Sequence, residues 1–325
     1  MSPARTGHPA VVLDSVGHAA FPHVVALPEG SLLAVWRRAS GHMQPDGSVW
    51  AATSADDGAS WSPPRLLVEA PHDARDPCLT VLPDGRLALS WFDFDGSRST
   101  GVRVSFSDDG GRTFARTVLL PQVWGRWTAV SAPVVQAAGA LLLPVYGCTG
   151  RRRTDVALLG STDGGATWEL MTHLLSGGAV RDALSEPWVV PDQDGRRLAC
   201  LVRADSGRVR RLTSADAGRT WTGAQELFTS SSRVAWLPLG GQRALTVHRS
   251  VVDEATVLRT TTDDWSTWSG EQVLDEVGRG TYAGLVALGQ DRLCTVYGAE
   301  SADRRSGRVV ACTLPLPDAV RPGPS

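Results

Sequence analysis

Glu186, Arg203 and Tyr282 belong to a set of residues whose types suit a small, acidic, hydroxyl-rich molecule. Just ahead of six similar β-rich runs stand Phe21, Asp76, Ala132, Glu186, Arg233 and Tyr282. Where the following run ends stand Arg37 and Arg38, Asp93, Tyr146, Arg203, His248 and Arg249, and Tyr297. A guanidinium fork grips a carboxylate through paired N–H donors, carboxylates accept from hydroxyls and move protons, and tyrosine is a neutral hydroxyl that a neighbouring base can ionise. Brought to one rim, the set forms a binding site; left apart, it is a collection of ordinary surface ion pairs. The chain has no lysine, so all 32 of its Lys+Arg cations are arginines, and a guanidinium at any single position carries less information than usual.

The elements that would position these residues are repeats. STDGGATW at Ser161 recurs as SADDGASW at Ser54, SDDGGRTF at Ser107 and SADAGRTW at Ser214, with a degenerate TTDDWSTW at Thr261. Successive copies are 53, 54, 53 and 47 residues apart. A second unit precedes them, as in HVVALPEGSLLAVWRR, CLTVLPDGRLALSWFD, VVQAAGALLLPVYG, WVVPDQDGRRLACLVRA, AWLPLGGQRALTVHRS and GLVALGQDRLCTVYGA. Each is a hairpin of two nearly continuous apolar runs around a tight turn, the pattern of strands buried on both faces. Six hairpins with a period of about 50 residues fit a six-bladed β-propeller of four-stranded antiparallel sheets, with AVVLD at the N-terminus and GRVVACTLPL near the C-terminus closing the ring. We expect a single domain over residues 1–325. In the repeated turn, Ser and Asp are placed to bond nearby backbone N–H groups, Gly to take φ > 0 and Trp to pack on its blade. Five occurrences mark it as scaffold, because a catalytic group is needed once. The residues that differ between repeats are where chemistry is expected.

Composition removes several classes. A formal net charge of -2 with no basic run argues against nucleic-acid and membrane-surface partners. Five cysteines without CxxC or Cys/His spacing indicate neither zinc nor a disulfide framework. DFDG at Asp93 and DQDG at Asp192 begin like calcium loops but lack the later glutamate, and read as turns. There is no G-x-S-x-G, H-E-x-x-H, P-loop or dinucleotide fingerprint, so neither metal nor cofactor is expected. No apolar run approaches the roughly 20 residues of a membrane span and no leader is evident, so the expected location is cytoplasmic, or secreted had a leader been removed.

The repeated turns resemble the Asp-boxes, or BNR repeats, of the sialidase superfamily of six-bladed propellers, over nearly the whole chain. The resemblance implies roles. In that family a Glu stands before one inner strand and an Arg closes its hairpin, as Glu186 and Arg203 do in SEPWVVPDQDGRRLACLVRADSG. A nucleophilic Tyr precedes the last hairpin, as Tyr282 does in GTYAGLVALGQDRLCTVYGAE. The acid/base Asp lies shortly before the first Asp-box, where GHMQPDGSVW offers Asp46, with His42 as a second candidate. Tyrosine suits an anomeric carbon that bears a carboxylate, since an anionic nucleophile would be repelled. Of the family's arginine triad, the member two residues before the first hairpin's Pro is replaced by Ala20; Arg75 stands at the same phase one blade later, and Arg249 and Arg233 compete for the third place.

The resulting expectation is a sialidase-like glycosidase acting on an acidic carbohydrate. Tyr282, Glu186 and Asp46 would be catalytic, and Arg75, Arg203, Arg249, Asp76, Arg38 and Arg233 would contact the ligand. The alternatives are a non-catalytic glycan- or protein-binding propeller, or a propeller enzyme of another type, such as a polysaccharide lyase.

Overall fold

Short apolar runs separated by Gly-bearing turns fold into hairpins along the whole chain. The computed structural model describes residues 10–150, 154–175, 182–192, 195–276 and 278–321. Within them 25 strands form five hydrogen-bonded sheets, one of eight strands, one of five and three of four. The protein is an all-β propeller with four-stranded antiparallel blades. The five-stranded sheet gains its extra strand because its inner strand is interrupted, so that Trp127–Ala129 and Val135–Ala137 both pair with Ala140–Cys148.

Four sheets stand as separate blades, whereas the repeats predict six. The difference lies in the eight-stranded sheet, which carries both ends of the chain. It joins the run beginning at His18–Ala26 to the run Arg279–Leu288, Arg292–Glu300 and Gly307–Pro315 through one parallel pair, His18↔Gly307. Gly307 permits this: a Cβ there would lie 2.7 Å from the Ala19 carbonyl oxygen, and its N–H donates to Gly17 O at 3.1 Å. The N-terminal strand Ala10–Asp14 pairs antiparallel with Gly307–Pro315.

The second strands of the hairpins carry the core. Leu87–Phe94 is buried at every residue, as expected of a strand covered by a blade on each side. The repeated turn ties each blade to its neighbour. Ser161 Oγ donates to Asp163 Oδ1 at 2.8 Å and accepts from Gly165 N at 2.9 Å; Asp163 accepts from Thr167 N at 2.9 Å and Thr167 Oγ1 at 2.6 Å. The same Asp–Ser/Thr bonds recur at Asp56, Asp109, Asp216 and Asp263. Gly165 has φ 88°, and a Cβ on it would run into the Phe106 ring of the preceding blade. These carboxylates accept local bonds and face solvent, which is a scaffold role; hydrogen bonds from Ser60 first, then Ser54, hold Asp56 down at about 2.

Candidate active site

Four inner strands carry the same irregularity. Ala20↔Arg37 is followed by His23↔Val35, Arg75↔Phe92 by Cys78↔Ser90, Ser185↔Arg203 by Trp188↔Leu201, and Gly280↔Ala299 by Ala283↔Tyr297. Each time two residues on the inner strand oppose one on its partner, a one-residue β-bulge, a device that re-aims a side chain. In three of them the displaced residue precedes proline and takes a left-handed backbone: Phe21 at φ 56°, Asp76 at 53° and Glu186 at 57°. Both the side chain and the following proline disfavour that region, so the surrounding sheet must hold it, as is common where function stores strain.

The bulges converge. Phe21, Asp76, Glu186 and Tyr282 line one cavity of about 300 Å³, together with Tyr146, Arg203 and Arg249 from second strands and with Arg75, His42, Glu300 and Arg304. Tyr282 donates its phenolic hydrogen to Glu186 Oε1, and Arg203 Nε donates to Glu186 Oε2 at 2.7 Å. Arg203 Nη2 reaches Ser185 Oγ at 3.1 Å. Arg249 donates to Ser231 Oγ at 2.7 Å, to Gly280 O at 3.0 Å and to Ser231 O, all neutral acceptors; among the described residues it has no carboxylate partner. Arg75 donates to His42 O at 2.8 Å and to Asp73 Oδ2 at 3.2 Å, with its guanidinium 5.4 Å from the centre of the Phe21 ring.

The electrostatics separate the acids. Burial would raise Glu186, but Arg203, the Tyr282 hydroxyl and Arg233 outweigh it and hold the carboxylate below its usual range. Tyr282 is pushed well above the ordinary phenol value by burial, then by Glu186 and Asp76, so it rests protonated beside an ionised acceptor. Asp76 moves the other way from Glu186. Burial raises it to about 7 against the opposing pull of Arg75 and Arg233.

Not every expected residue reaches the cavity. Arg38 is held outside it, 2.7 Å from Asp14 Oδ2 and stacked 3.6 Å from the centre of the Trp50 ring. Arg233 is fully buried beneath the cavity, donating to Ser131 O at 2.7 Å and Ala283 O at 2.5 Å, with its guanidinium 4.6 Å from the Tyr282 ring centre. It supports the tyrosine and is not on the lining. Asp46 is exposed, off the cavity wall, and accepts from Ser40 N at 3.1 Å, as turn residues do. Of the other rim residues, Arg37 is buried against Asp73 at 2.5 Å, Asp93 pairs with Arg103, and His248 stacks on Phe228. Asp192 pairs with Arg197 at 2.9 Å; Gln193 and Asp194 lie outside the described residues.

The structure adds Glu300 and Arg304, which the repeat positions did not suggest, and brings in His42. His18 Nε2 lies 2.8 Å from Glu300 Oε1, and His42 Nδ1 contacts the same oxygen. On their far sides, Arg37 Nη1 stands 3.3 Å from His18 Nδ1, and Arg304 Nη2 contacts His42 Nε2. Arginine can only donate, so each imidazole turns a lone pair to its arginine and an N–H to Glu300. These three residues are the metal-compatible group among the described residues, with ligand atoms within 4.8 Å of one another. A cation in place of the two protons would shift each N–H onto the nitrogen facing an arginine, which offers no acceptor, so the donor set fits a shared carboxylate better than a metal. Burial lowers His42 to about 4, keeping it neutral at pH 7.

Asp-box turns, four-stranded blades and a cavity bearing the tyrosine–glutamate–arginine group define a sialidase-like BNR propeller. A family model, the BNR repeat-like domain, matches residues 30–234, and the chain belongs to that family. No curated protein matches the sequence. Among solved structures the chain is similar to a protein of unknown function from Dyadobacter fermentans, at 20% identity and TM-score 0.84, covering 97% of this chain and 100% of that one. It is also similar to the Hadza microbial sialidase Hz136, at 18% identity and TM-score 0.75, covering 92% and 66%. The Trypanosoma rangeli sialidase, in complex with sialic acid, aligns at 16% identity and TM-score 0.69, covering 95% and 59%. At these identities the likeness is one of fold.

Proposed function

We propose that the protein is a sialidase-like glycoside hydrolase acting on a sialic-acid-like or other acidic sugar. The observation that carries this reading is the Tyr282–Glu186–Arg203 chain on the wall of a cavity that also holds Arg249, which has no carboxylate partner among the described residues. The substrate carboxylate binds Arg249 and Arg203, with Arg75 nearby, through charge-assisted bonds. Tyr282 attacks the anomeric carbon while Glu186 takes the phenolic proton; Arg203 keeps Glu186 ionised beforehand, and Arg233 under the ring favours the developing phenolate. A neutral nucleophile avoids repulsion by the substrate carboxylate. That a propeller of similar fold is seen with sialic acid supports an acidic sugar as ligand.

The scaffold in this reading has six blades, with the eight-stranded sheet counted as two. It consists of two four-stranded antiparallel runs that share one residue pair, and all six hairpins of the sequence are present in the sheets.

Two observations favour a second reading, a glycan-binding propeller without turnover: Ala20 is fully buried and offers no guanidinium, and Asp46 faces solvent. Hydrolysis of aryl sialosides and aryl uronides decides between them. The enzyme reading expects turnover by the wild type and its loss in Tyr282→Phe. Equal rates in both proteins, or binding with no turnover of any acidic glycoside, contradict it.

A further inference from the structure

Four arginines line the cavity: Arg75, Arg203, Arg249 and Arg304. Of the carboxyl groups on the same wall, Glu186 is paired with Arg203 and Glu300 is shared by His18 and His42. Burial raises Asp76 to about 7, so at neutral pH it carries only part of a charge. Behind the wall Arg37 and Asp73 neutralise each other, while Arg233 has only neutral acceptors among the described residues. The site holds more positive charge than the single carboxylate of one acidic sugar would balance.

Arg304 is the arginine set apart. It lies on the turn that joins Arg292–Glu300 to Gly307–Pro315, in a left-handed backbone at φ 57°. Its N–H donates to Ser301 O at 2.9 Å and its carbonyl accepts from His42 N at 3.2 Å. A non-glycine residue stays in that backbone region only where its surroundings hold it, and the side chain held here ends in the cavity wall. Arg304 Nη2 rests against His42 Nε2, whose ring is fixed by Glu300 on its other nitrogen. Glu300 Oε2 is 3.6 Å from Arg304 Nε, beyond hydrogen-bond reach, and among the described residues Nε and Nη1 have no hydrogen-bond acceptor. The guanidinium is therefore positioned but keeps donors to spare.

A row of contacts separates it from Arg203. His42 lies 5.4 Å from the Phe21 ring and Phe21 lies 5.0 Å from the Tyr282 ring; Tyr282 bonds Glu186, which pairs with Arg203. A carboxylate gripped by Arg203 and Arg249 leaves Arg304 at the other end of this row without a ligand group.

We propose that the preferred ligand is a doubly acidic sugar whose second anionic group is received by Arg304, an assignment that rests on the acidic-sugar reading above. The second group is an oxyanion, either a sulfate or phosphate ester on the same sugar or the carboxylate of an adjoining acidic sugar. A guanidinium binds each through charge-assisted hydrogen bonds. His42 acts as a positioning residue, because its lone pair holds one nitrogen of Arg304 and leaves the remaining donors to the ligand.

The test is calorimetry on methyl thioglycosides, which resist hydrolysis, of sialic acid and of a uronic acid. Each sugar is offered plain, with one sulfate ester, and thio-linked to a second unit of itself. Wild type is expected to bind a doubly acidic member about 10- to 150-fold more tightly than its plain counterpart. Whether the sulfate or the dimer gains the affinity identifies the source of the second group. Arg304→Gln is expected to bring that ratio close to one, and Arg304→Lys to restore part of it. Arg249→Met weakens both ligands and keeps the ratio. Binding of the plain sugar by Arg304→Gln shows that the variant is folded. Equal affinity of wild type for plain and doubly acidic members, or an unchanged ratio in Arg304→Gln, overturns the assignment and leaves the acidic-sugar reading standing. Failure of wild type to bind any member of either series overturns both.

Discussion

Tyr282 donates its hydroxyl hydrogen to Glu186 across 96 residues of chain, and each of the two residues sits in a one-residue bulge of its inner strand. The pairing is a product of register. In a strand, side chains alternate faces, so one extra residue in each hairpin turns a side chain that would pack between blades toward the cavity. The same slip delivers Phe21 and Asp76. The blades repeat, the bulge repeats, and only the residue placed on it changes.

Replacing Glu186 by Gln removes the acceptor charge for the phenolic proton and leaves Arg203 unpaired in the wall. The expected result is a fall in kcat of about 10²–10⁴-fold with a smaller change in KM. Steady-state kinetics on an aryl substrate read the split.

Arg249 is the cavity-lining arginine whose described partners are all neutral oxygens. Arg249→Met is expected to weaken binding of the substrate carboxylate by about 1.5–3 kcal/mol, a rise in KM of about 10- to 150-fold. A matched neutral ligand, such as the methyl ester, is expected to show little change. Calorimetry on both ligands checks this independently of turnover.

Acid should destabilise the fold. Burial lowers His23 to about 3, and burial likewise lowers His248 and His42 to about 4, so the folded state keeps all three neutral where the unfolded chain protonates near 6.5. Between pH 6.5 and 4 the unfolded state binds more protons, and stability falls as pH falls; above 6.5 it is fully present. Asp76, raised to about 7, acts oppositely over pH 4–7, but it is one group against three. Thermal unfolding between pH 4.5 and 7.5 is expected to show Tm rising with pH through that range and levelling off above it.

Gly165→Ala tests the scaffold role of the repeated turn. The position combines φ 88° with contact against the Phe106 ring. A loss of roughly 1–3 kcal/mol is expected from strain and overpacking, with kcat and KM unchanged in the folded fraction. Denaturant melts alongside kinetics separate the two effects.

The sequence makes the blades legible because each is a local unit, with turn residues at fixed offsets and apolar runs between them. It also makes Asp76, Glu186, Arg203, Arg249 and Tyr282 legible, because their positions recur while their chemistry does not. The errors are errors of face and depth. Arg38 lies one residue from Arg37 and points to the opposite side, toward Asp14 and Trp50, as strand alternation requires. Arg233 stands at the right phase, but it lies two residues ahead of the strand Ala235–Pro238, whose pairing has no bulge to turn it outward, and it bonds backbone carbonyls below the cavity. Glu300 lies three residues past Tyr297, where the repeats end the last hairpin, and its strand runs on to reach His18 and His42. The fused sheet could not be read either, because it depends on the close approach that Gly307 allows between chain segments far apart in sequence.

The central claim is that Tyr282 attacks the sugar, and covalent trapping tests it most directly. A 2,3-difluoro derivative of the acidic sugar slows both half-reactions but carries a leaving group good enough to load the enzyme, so the glycosyl-enzyme accumulates. Mass spectrometry of the digested protein is expected to find one added glycosyl group, on the peptide containing Tyr282, and none in Tyr282→Phe. An adduct on a different residue, or no adduct from a compound that the wild type turns over, would contradict the account.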